Sequence, residues 1–161
     1  NNLLHDMKVA YLHGLESDNK GPKNDWLRTI ASDVYDPLIN YKEKGIYRKI
    51  LKEVKDFNPD IIIGSSMGGY FAYKISKTLS IPALLFNPAL HSRSMQPDMS
   101  GEKTSWNNPK THIVFGKKDT VIDPTTTLGM IDTNRVTHKT HGHGHRTPDK
   151  VFIDSVKDFI R

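Results

Sequence analysis

The chain has 161 residues, a formal net charge of +5 and no cysteine. This length suits one domain with a sizeable core, while the lack of cysteine excludes disulfides and thiolate metal sites and favours a reducing, cytoplasmic location. No apolar run approaches the roughly 20 residues of a membrane helix, so we expect no membrane segment. We expect a single domain over residues 7–161, with residues 1–6 as a tag or a disordered N-terminus.

Short apolar runs alternate with helical patterns along the chain. Strands are predicted over residues 8–12, 34–39, 60–65, 82–87, 111–116 and 135–140. Helices are predicted over residues 24–32, 45–57 and 68–79, from residue 148 onward, and at best weakly over 124–131. Pro37 interrupts the second strand and is typical of an edge strand, and Thr147 is the expected N-cap of the last helix.

The densest basic stretch, residues 42–55, also carries apolar residues at helical spacing. Its lysines are therefore predicted to form the solvated side of an amphipathic helix. No stacking motif or nucleic-acid-binding module accompanies the charge, so we expect no nucleic-acid partner.

This alternation of strands and helices predicts an α/β fold of three layers, in which helices cover both faces of a mainly parallel sheet of about six strands. In such folds the carboxyl ends of the strands lie at one edge of the sheet, where ligands bind. Functional residues are therefore expected directly after the strands.

The segment GSSMG, residues 64–68, follows a predicted strand and precedes a predicted helix. It matches the G-x-S-x-G pattern, in which a serine on a tight turn projects its oxygen above the sheet while strand and helix backbones pass very closely. Ser66 occupies the central position, which makes it a candidate nucleophile, and Ser65 is the weaker candidate. The alternative interpretation is an ordinary glycine-rich turn with an incidental serine.

A serine nucleophile needs a base that is oriented by a carboxylate, and both residue types follow later strands. Asp119 and Asp123 lie after the fifth predicted strand, and His141, His143 and His145 lie after the sixth. The chain order Ser, Asp, His is the one found in α/β-hydrolases. Two other interpretations stay open for the histidines, a three-histidine zinc site and an incidental loop.

Together these segments resemble the small, lid-less bacterial esterases of the α/β-hydrolase superfamily, in particular the YqiA-like group. The resemblance covers nearly the whole chain from Met7 onward, and it implies hydrolysis of carboxylic esters through an acyl-enzyme. The segments that carry it are YLHGLESDNKG, GSSMGGYFA, LLFNPAL, FGKKDTVI and GHGHRTPDKVFIDSVKDFI.

By this resemblance, Ser66 is the nucleophile, His145 its base and Asp119 the acid that orients the base. His143 is the reserve candidate for the base. The insertion after the fourth strand, residues 88–109, is too short for a cap domain.

The resemblance also implies an oxyanion hole formed by the backbone amides of Leu15 and Met67. His13, in the loop that precedes Leu15, is expected to orient this loop and to border the substrate. Met95 and Trp106 are candidates for an acyl pocket, with ordinary loop packing as the alternative.

The sequence thus predicts a serine carboxylesterase or thioesterase that acts on small acyl substrates without a metal or another cofactor. The alternatives are a metal-binding protein or hydrolase that uses the three histidines, and a noncatalytic binding protein with a hydrolase fold.

Overall fold

The computed structural model describes residues 3–105 and 107–161. The strands are β1 (Lys8–Leu12), β2 (Asp33–Tyr35), β3 (Ile61–Ser65), β4 (Ala83–Phe86), β5 (Thr111–Gly116) and β6 (Val136–His141). The α-helices are α1 (Pro22–Ile30), α2 (Ile46–Phe57), α3 (Met67–Leu79), α4 (Pro124–Met130) and α5 (Asp149–Phe159). A short 3-10 helix, Leu3–Asp6, precedes β1 and was not expected from the sequence.

The six strands form one sheet in the order β2-β1-β3-β4-β5-β6, and every neighbouring pair is parallel. The predicted parallel sheet of about six strands is therefore confirmed. Strand β2 lies at an edge, as Pro37 indicates, but it ends at Tyr35 instead of residue 39. The predicted length was wrong because proline cannot donate to a strand ladder, so pairing stops before it.

Two apolar clusters, one on each face of the sheet, confirm the three-layer arrangement. Helices α2 and α3 pack on one face, where the largest buried side chains include Tyr41, Tyr47 and Phe71. Helices α1 and α5 pack on the other face, with Leu27 and Phe152 fully buried. The central strands β1, β3 and β4 are buried on both faces and carry mainly apolar residues, as buried parallel strands do, whereas the edge strands β2 and β6 are more exposed.

Several helix ends differ from the predictions by one or two residues, and the starts of α1 and α5 are the informative cases. Helix α1 begins at Pro22, two residues earlier than predicted, since proline fits the first turn of a helix. The prediction of Thr147 as N-cap of α5 was wrong: the N-cap is Pro148, which makes no side-chain capping bond. Thr147 is buried, so its side chain belongs to the interior and not to the exposed first turn.

The connection from β4 to β5 contains turns and bends but no helix or strand within residues 87–105 and 107–110. As the sequence predicts, no cap domain is built from this part. Within the described residues, none of the helices combines the length and apolar character that crossing a bilayer requires.

Candidate active site

Ser66 lies between β3 and α3 with φ of 53° and ψ of −114°. A positive φ is uncommon for a residue with a side chain and indicates a backbone held in place by its surroundings. The turn places Ser66 at the carboxyl edge of the sheet and at the N-terminus of a 13-residue helix. It has the form that the G-x-S-x-G pattern predicts.

The two outer glycines of this pattern are required by close backbone contacts. A Cβ atom on Gly64 would lie 2.3 Å from the carbonyl oxygen of Gly68. A Cβ atom on Gly68 would lie 2.0 Å from the carbonyl oxygen of Leu12 at the end of β1. Because backbone atoms cannot move aside as a flexible side chain can, only glycine lets α3 begin so close to β1 and β3.

The structure brings Ser66, His145 and Asp119 together, although 79 residues separate the serine from the histidine. Nε2 of His145 lies 2.9 Å from Oγ of Ser66, and Nδ1 of His145 lies 2.8 Å from Oδ2 of Asp119. Because a carboxylate only accepts hydrogen bonds, the ring proton sits on Nδ1. Nε2 is then free to accept the proton of the serine hydroxyl.

Asp119 is fixed by backbone donors, and its side chain is 0% exposed. Its Oδ1 accepts hydrogen bonds from the amides of Val121 at 2.8 Å and Ile122 at 2.9 Å, which leaves Oδ2 facing the imidazole. Asp123, the other aspartate considered, is the N-cap of α4 and accepts from the amide of Thr125. Of the two aspartates, the structure places Asp119 beside His145.

Within the described residues, His143, the reserve base, makes no hydrogen bond to Ser66. Its two ring nitrogens are buried and have no hydrogen-bond partner within the described residues, and its ring stacks on His141 with centroids 6.0 Å apart. Burial, followed by the proximity of His141, lowers the pKa of His143, so the neutral form is favoured.

The three histidines do not converge as a metal site would require. His145 faces the serine and the aspartate, while His141 and His143 face each other. Over residues 3–105 and 107–161, no three histidine, aspartate or glutamate side chains are grouped as metal ligands.

His13 is 3% exposed, and both of its ring nitrogens are occupied. Nδ1 donates to the carbonyl of Gly14 at 2.7 Å, and Nε2 accepts from the amide of Ile39 at 2.8 Å. The hydroxyl of Tyr41 donates to the His13 carbonyl at 2.5 Å. Burial lowers the pKa of His13, as an acceptor nitrogen requires. These contacts fit a residue that orients its loop, and they leave neither ring nitrogen free for a substrate.

The loop after β1 lies directly beside the serine. A Cβ atom on Gly14 would be 3.4 Å from Cβ of Ser66, which places the next residue, Leu15, at the same turn. Neither the Leu15 amide nor the Met67 amide has a protein acceptor within the described part of the chain. Both are available for an oxyanion, and their role as its donors stays a prediction.

The assignment of Met95 and Trp106 to an acyl pocket stays a prediction. Met95 is partly buried and packs against the core cluster on the α2 and α3 face, which also fits ordinary loop packing. Trp106 lies outside the described residues.

Sequence reasoning missed Asn87, which directly follows β4. The residue is 2% exposed, and its side chain bonds to the backbone of both Gly116 and His145. The signal was present, because Asn87 is the polar residue that follows a buried strand at the edge where function was expected.

Similar solved structures share this fold. A Xanthomonas campestris pv. campestris protein assigned to the α/β-hydrolase superfamily is 17% identical and has a TM-score of 0.72, with 95% of this chain and 94% of that chain covered. An esterase of Pyrococcus furiosus is 15% identical and has a TM-score of 0.65, with 99% and 80% covered. At these identities the likeness shows the fold, which is that of the α/β-hydrolases.

Curated relatives match part of the chain. A UPF0227 protein of Vibrio cholerae is 37% identical, with 52% of this chain and 51% of the relative covered. The match thus spans about half the length of the curated relatives. The model of UPF0227, described as an uncharacterised protein family, matches residues 8–121, which include Ser66 and Asp119 and end before His145. Because this match extends over more than half of the sequence, the chain belongs to the family UPF0227.

Proposed function

We propose that the chain is a serine hydrolase that cleaves small carboxylic esters or thioesters through an acyl-enzyme. The observation that carries the proposal is the hydrogen-bonded series from Ser66 Oγ to His145 Nε2 at 2.9 Å and from His145 Nδ1 to Asp119 Oδ2 at 2.8 Å. Both distances lie within the range in which a base takes a proton from a nucleophile and a carboxylate orients that base. The esterase fold neighbour agrees with the same class of reaction.

In the first half-reaction, Oγ of Ser66 attacks the substrate carbonyl carbon while Nε2 of His145 takes the hydroxyl proton. The tetrahedral intermediate then collapses, the bond to the alcohol or thiol breaks, and Nε2 returns the proton to the leaving group. In the second half-reaction, a water molecule loses a proton to Nε2 and attacks the acyl carbon. The bond from that carbon to Oγ of Ser66 then breaks, Nε2 returns the proton to Oγ, and the carboxylic acid is released. Asp119 stays ionised throughout and stabilises the charged imidazole.

The negative charge that forms on the substrate oxygen needs donors near Ser66. The amides of Leu15 and Met67 supply them in this proposal, since both lie beside the serine and neither has another acceptor within the described residues. Met67 is the first residue of α3, so the positive end of the helix dipole favours the same charge.

The substrate is proposed to be a small molecule. No cap is built from the described part of the β4–β5 connection, and His145 keeps 27% of its side chain exposed. A site open in this way tolerates variation on the alcohol or thiol side of the substrate. A cytoplasmic location stays a prediction from the sequence.

Labelling with a fluorophosphonate probe and mapping of the adduct by mass spectrometry tests this proposal. We expect the adduct on Ser66, because the probe phosphorylates a serine that an adjacent base activates. Ser66→Ala and His145→Ala should abolish labelling, while Ser65→Ala, which removes the neighbouring hydroxyl, should retain it. A folded wild-type protein with an unlabelled Ser66 would overturn the proposal. So would ester hydrolysis that survives Ser66→Ala and is abolished by a chelator.

A further inference from the structure

Asn87 connects three backbone segments through one buried side chain. Its Oδ1 accepts from the amide of Gly116 at 2.7 Å, at the end of β5. Its Nδ2 donates to the carbonyl of His145 at 2.8 Å and to the carbonyl of Gly144 at 3.3 Å. The side chain thus ties the end of one strand to the loop that carries the catalytic histidine of the proposed reaction.

The backbone beside Asn87 is tied to the serine turn at the same time. The amide of Ala89 donates to the carbonyl of Ser66 at 2.9 Å, and the amide of Ser66 donates to the carbonyl of Phe86 at 3.0 Å. Residues 86–89 therefore bond to the serine backbone on one side and, through Asn87, to the histidine backbone on the other.

The rest of the histidine loop is held at other points. The amides of Lys117 and Lys118 donate to the carbonyls of His141 and His143, at 2.8 Å and 3.0 Å. Within the described residues, Asn87 is the donor to the carbonyl of His145 itself. Asp119 holds the imidazole ring itself, and the Asn87 amide holds the backbone from which that ring projects.

We propose that Asn87 is a positioning residue that fixes the distance between Nε2 of His145 and Oγ of Ser66. Its catalytic consequence rests on the proposed function, whereas the link itself does not. The side chain does not contact the reacting atoms, and it acts through the backbone of His145. The side chain of Asn87 bonds to backbone atoms at both ends, the amide of Gly116 and the carbonyl of His145. Removal of this side chain therefore frees the loop without changing any residue of the triad.

Two substitutions test whether the hydrogen bonds of the Asn87 side chain, and not its backbone conformation, position the loop. The residue has φ of 42°, in the left-handed region, so Asn87→Gly keeps this conformation and removes the bonds. Asn87→Asp keeps the shape and the acceptor for Gly116, but it places an oxygen against the carbonyls of His145 and Gly144. Should Asn87→Gly not fold, Asn87→Asp carries the same test.

Hydrolysis of p-nitrophenyl acetate provides the kinetic test. We expect kcat and kcat/KM to fall together by about 10²-fold in both variants, with KM unchanged, because misplacement of a catalytic group affects the transition state and not substrate binding. Ser76→Ala is the matched control, since it removes a buried hydrogen bond, to the carbonyl of Ile81, near the other end of α3. It should lower the unfolding midpoint and retain kcat. Wild-type kcat in folded Asn87 variants, or an equal loss of kcat in Ser76→Ala, would overturn the proposal.

Nuclear magnetic resonance of the His145 ring tests the link without any turnover. In the wild type we expect a downfield Nδ1 proton and slowly exchanging Asn87 side-chain amide protons, because both lie in hydrogen bonds. In folded Asn87→Gly the Nδ1 proton should exchange faster. Rapid exchange of the wild-type Asn87 amide, or an unchanged ring signal in the variant, would contradict the link. If Ser66 proved inert to the probe, the proposed function would fail while these signals still decided the role of Asn87.

Discussion

At the scale of single residues, the two oxygens of the Asp119 carboxylate accept hydrogen bonds from different groups. Oδ1 receives two backbone amides, those of Val121 and Ile122, and Oδ2 receives the imidazole. The two backbone amides therefore fix the orientation of the Asp119 carboxylate. That orientation in turn decides which tautomer of His145 is stable.

Replacement of Asp119 by asparagine should reverse this tautomer. Because the two backbone amides demand an acceptor, the amide oxygen of Asn takes the Oδ1 position and its NH₂ group faces Nδ1 of His145. Nδ1 must then accept, the ring proton moves to Nε2, and Nε2 can no longer take the proton of Ser66. We expect kcat for ester hydrolysis to fall by about 10⁴-fold with the fold retained.

The matched control for this prediction is Asp123→Asn. Asp123 caps α4 through an oxygen that asparagine also offers, so activity and stability should stay near the wild-type values. A folded Asp119→Asn variant with wild-type kcat, or a large loss of kcat in Asp123→Asn, would show that the wrong aspartate has been assigned.

At the scale of single elements, helix α2 depends on a residue far away in the sequence. Its N-cap is Gly45, which has no side chain to receive the free amides of the first turn. Asp98, in the β4–β5 connection, supplies the acceptors: Oδ2 binds the amide of Gly45 at 2.6 Å, and the Asp98 carbonyl binds the amide of Tyr47 at 3.2 Å. The connection therefore stabilises the helix that it crosses.

Asp98 should make stability depend on pH below 4. Its pKa is lowered from 3.8 to about 2, first by hydrogen bonds from the Ser100 hydroxyl and amide and then by the Gly45 amide. Because the folded state binds the proton less readily than the unfolded state, the contribution is complete above pH 3.8 and is lost as the pH falls towards 2. Asp98→Asn should lower the urea midpoint at pH 7, and the difference from the wild type should shrink between pH 3.8 and 2.

Asp56→Asn is the control on the same helix. Asp56 forms an exposed ion pair with Lys52 at 2.7 Å, and surface pairs of this kind contribute little. Its urea midpoint should remain near that of the wild type at pH 7. A difference between Asp98→Asn and the wild type that stays constant down to pH 2 would exclude the capping carboxylate as its source.

The same scale shows which elements the sequence could predict. Strands β3 and β4 are continuous apolar runs, and their positions were predicted within one residue at each end. The cap supplied by Asp98 could not be predicted, because nothing in residues 45–57 points to a loop more than 40 residues later. Likewise, the sequence Thr147-Pro148-Asp149 fits a helix capped by Thr147 and a helix capped by Pro148. The structure has the second arrangement, in which Thr147 is buried.

At the scale of the whole molecule, the candidate site collects residues that follow five of the six strands. Leu15 follows β1, Ser66 follows β3, Asn87 follows β4, Asp119 follows β5 and His145 follows β6. Because every neighbouring pair of strands is parallel, these ends lie at one edge of the sheet, which is where the sequence predicted functional residues. Which of three histidines reaches the serine, and what holds it there, depended on the path of the last loop. The sequence pattern does not contain that path.

Helix α5 follows the His145 loop in the chain and packs against the sheet. Phe152 of α5 is fully buried, and its ring packs against Tyr11 of β1, Trp26 of α1 and Phe86 of β4, with centroids 5.3, 6.4 and 5.0 Å away. One ring thus joins the C-terminal helix to the centre of the sheet and to the other helix on that face.

Phe152→Ala should therefore lower the free energy of unfolding by about 3–5 kcal/mol, since it removes a large buried ring and leaves a cavity. Such a loss is a large share of the total stability of a domain, so we expect a markedly lower urea midpoint by circular dichroism. The ring partners of Phe152 among the described residues are Tyr11, Trp26 and Phe86 and not members of the triad, so kcat measured well below the unfolding midpoint should stay near the wild-type value. Ile153→Ala, at a partly buried neighbouring position, is the control and should cost less. Equal losses in the two variants would show that α5 is not anchored through Phe152.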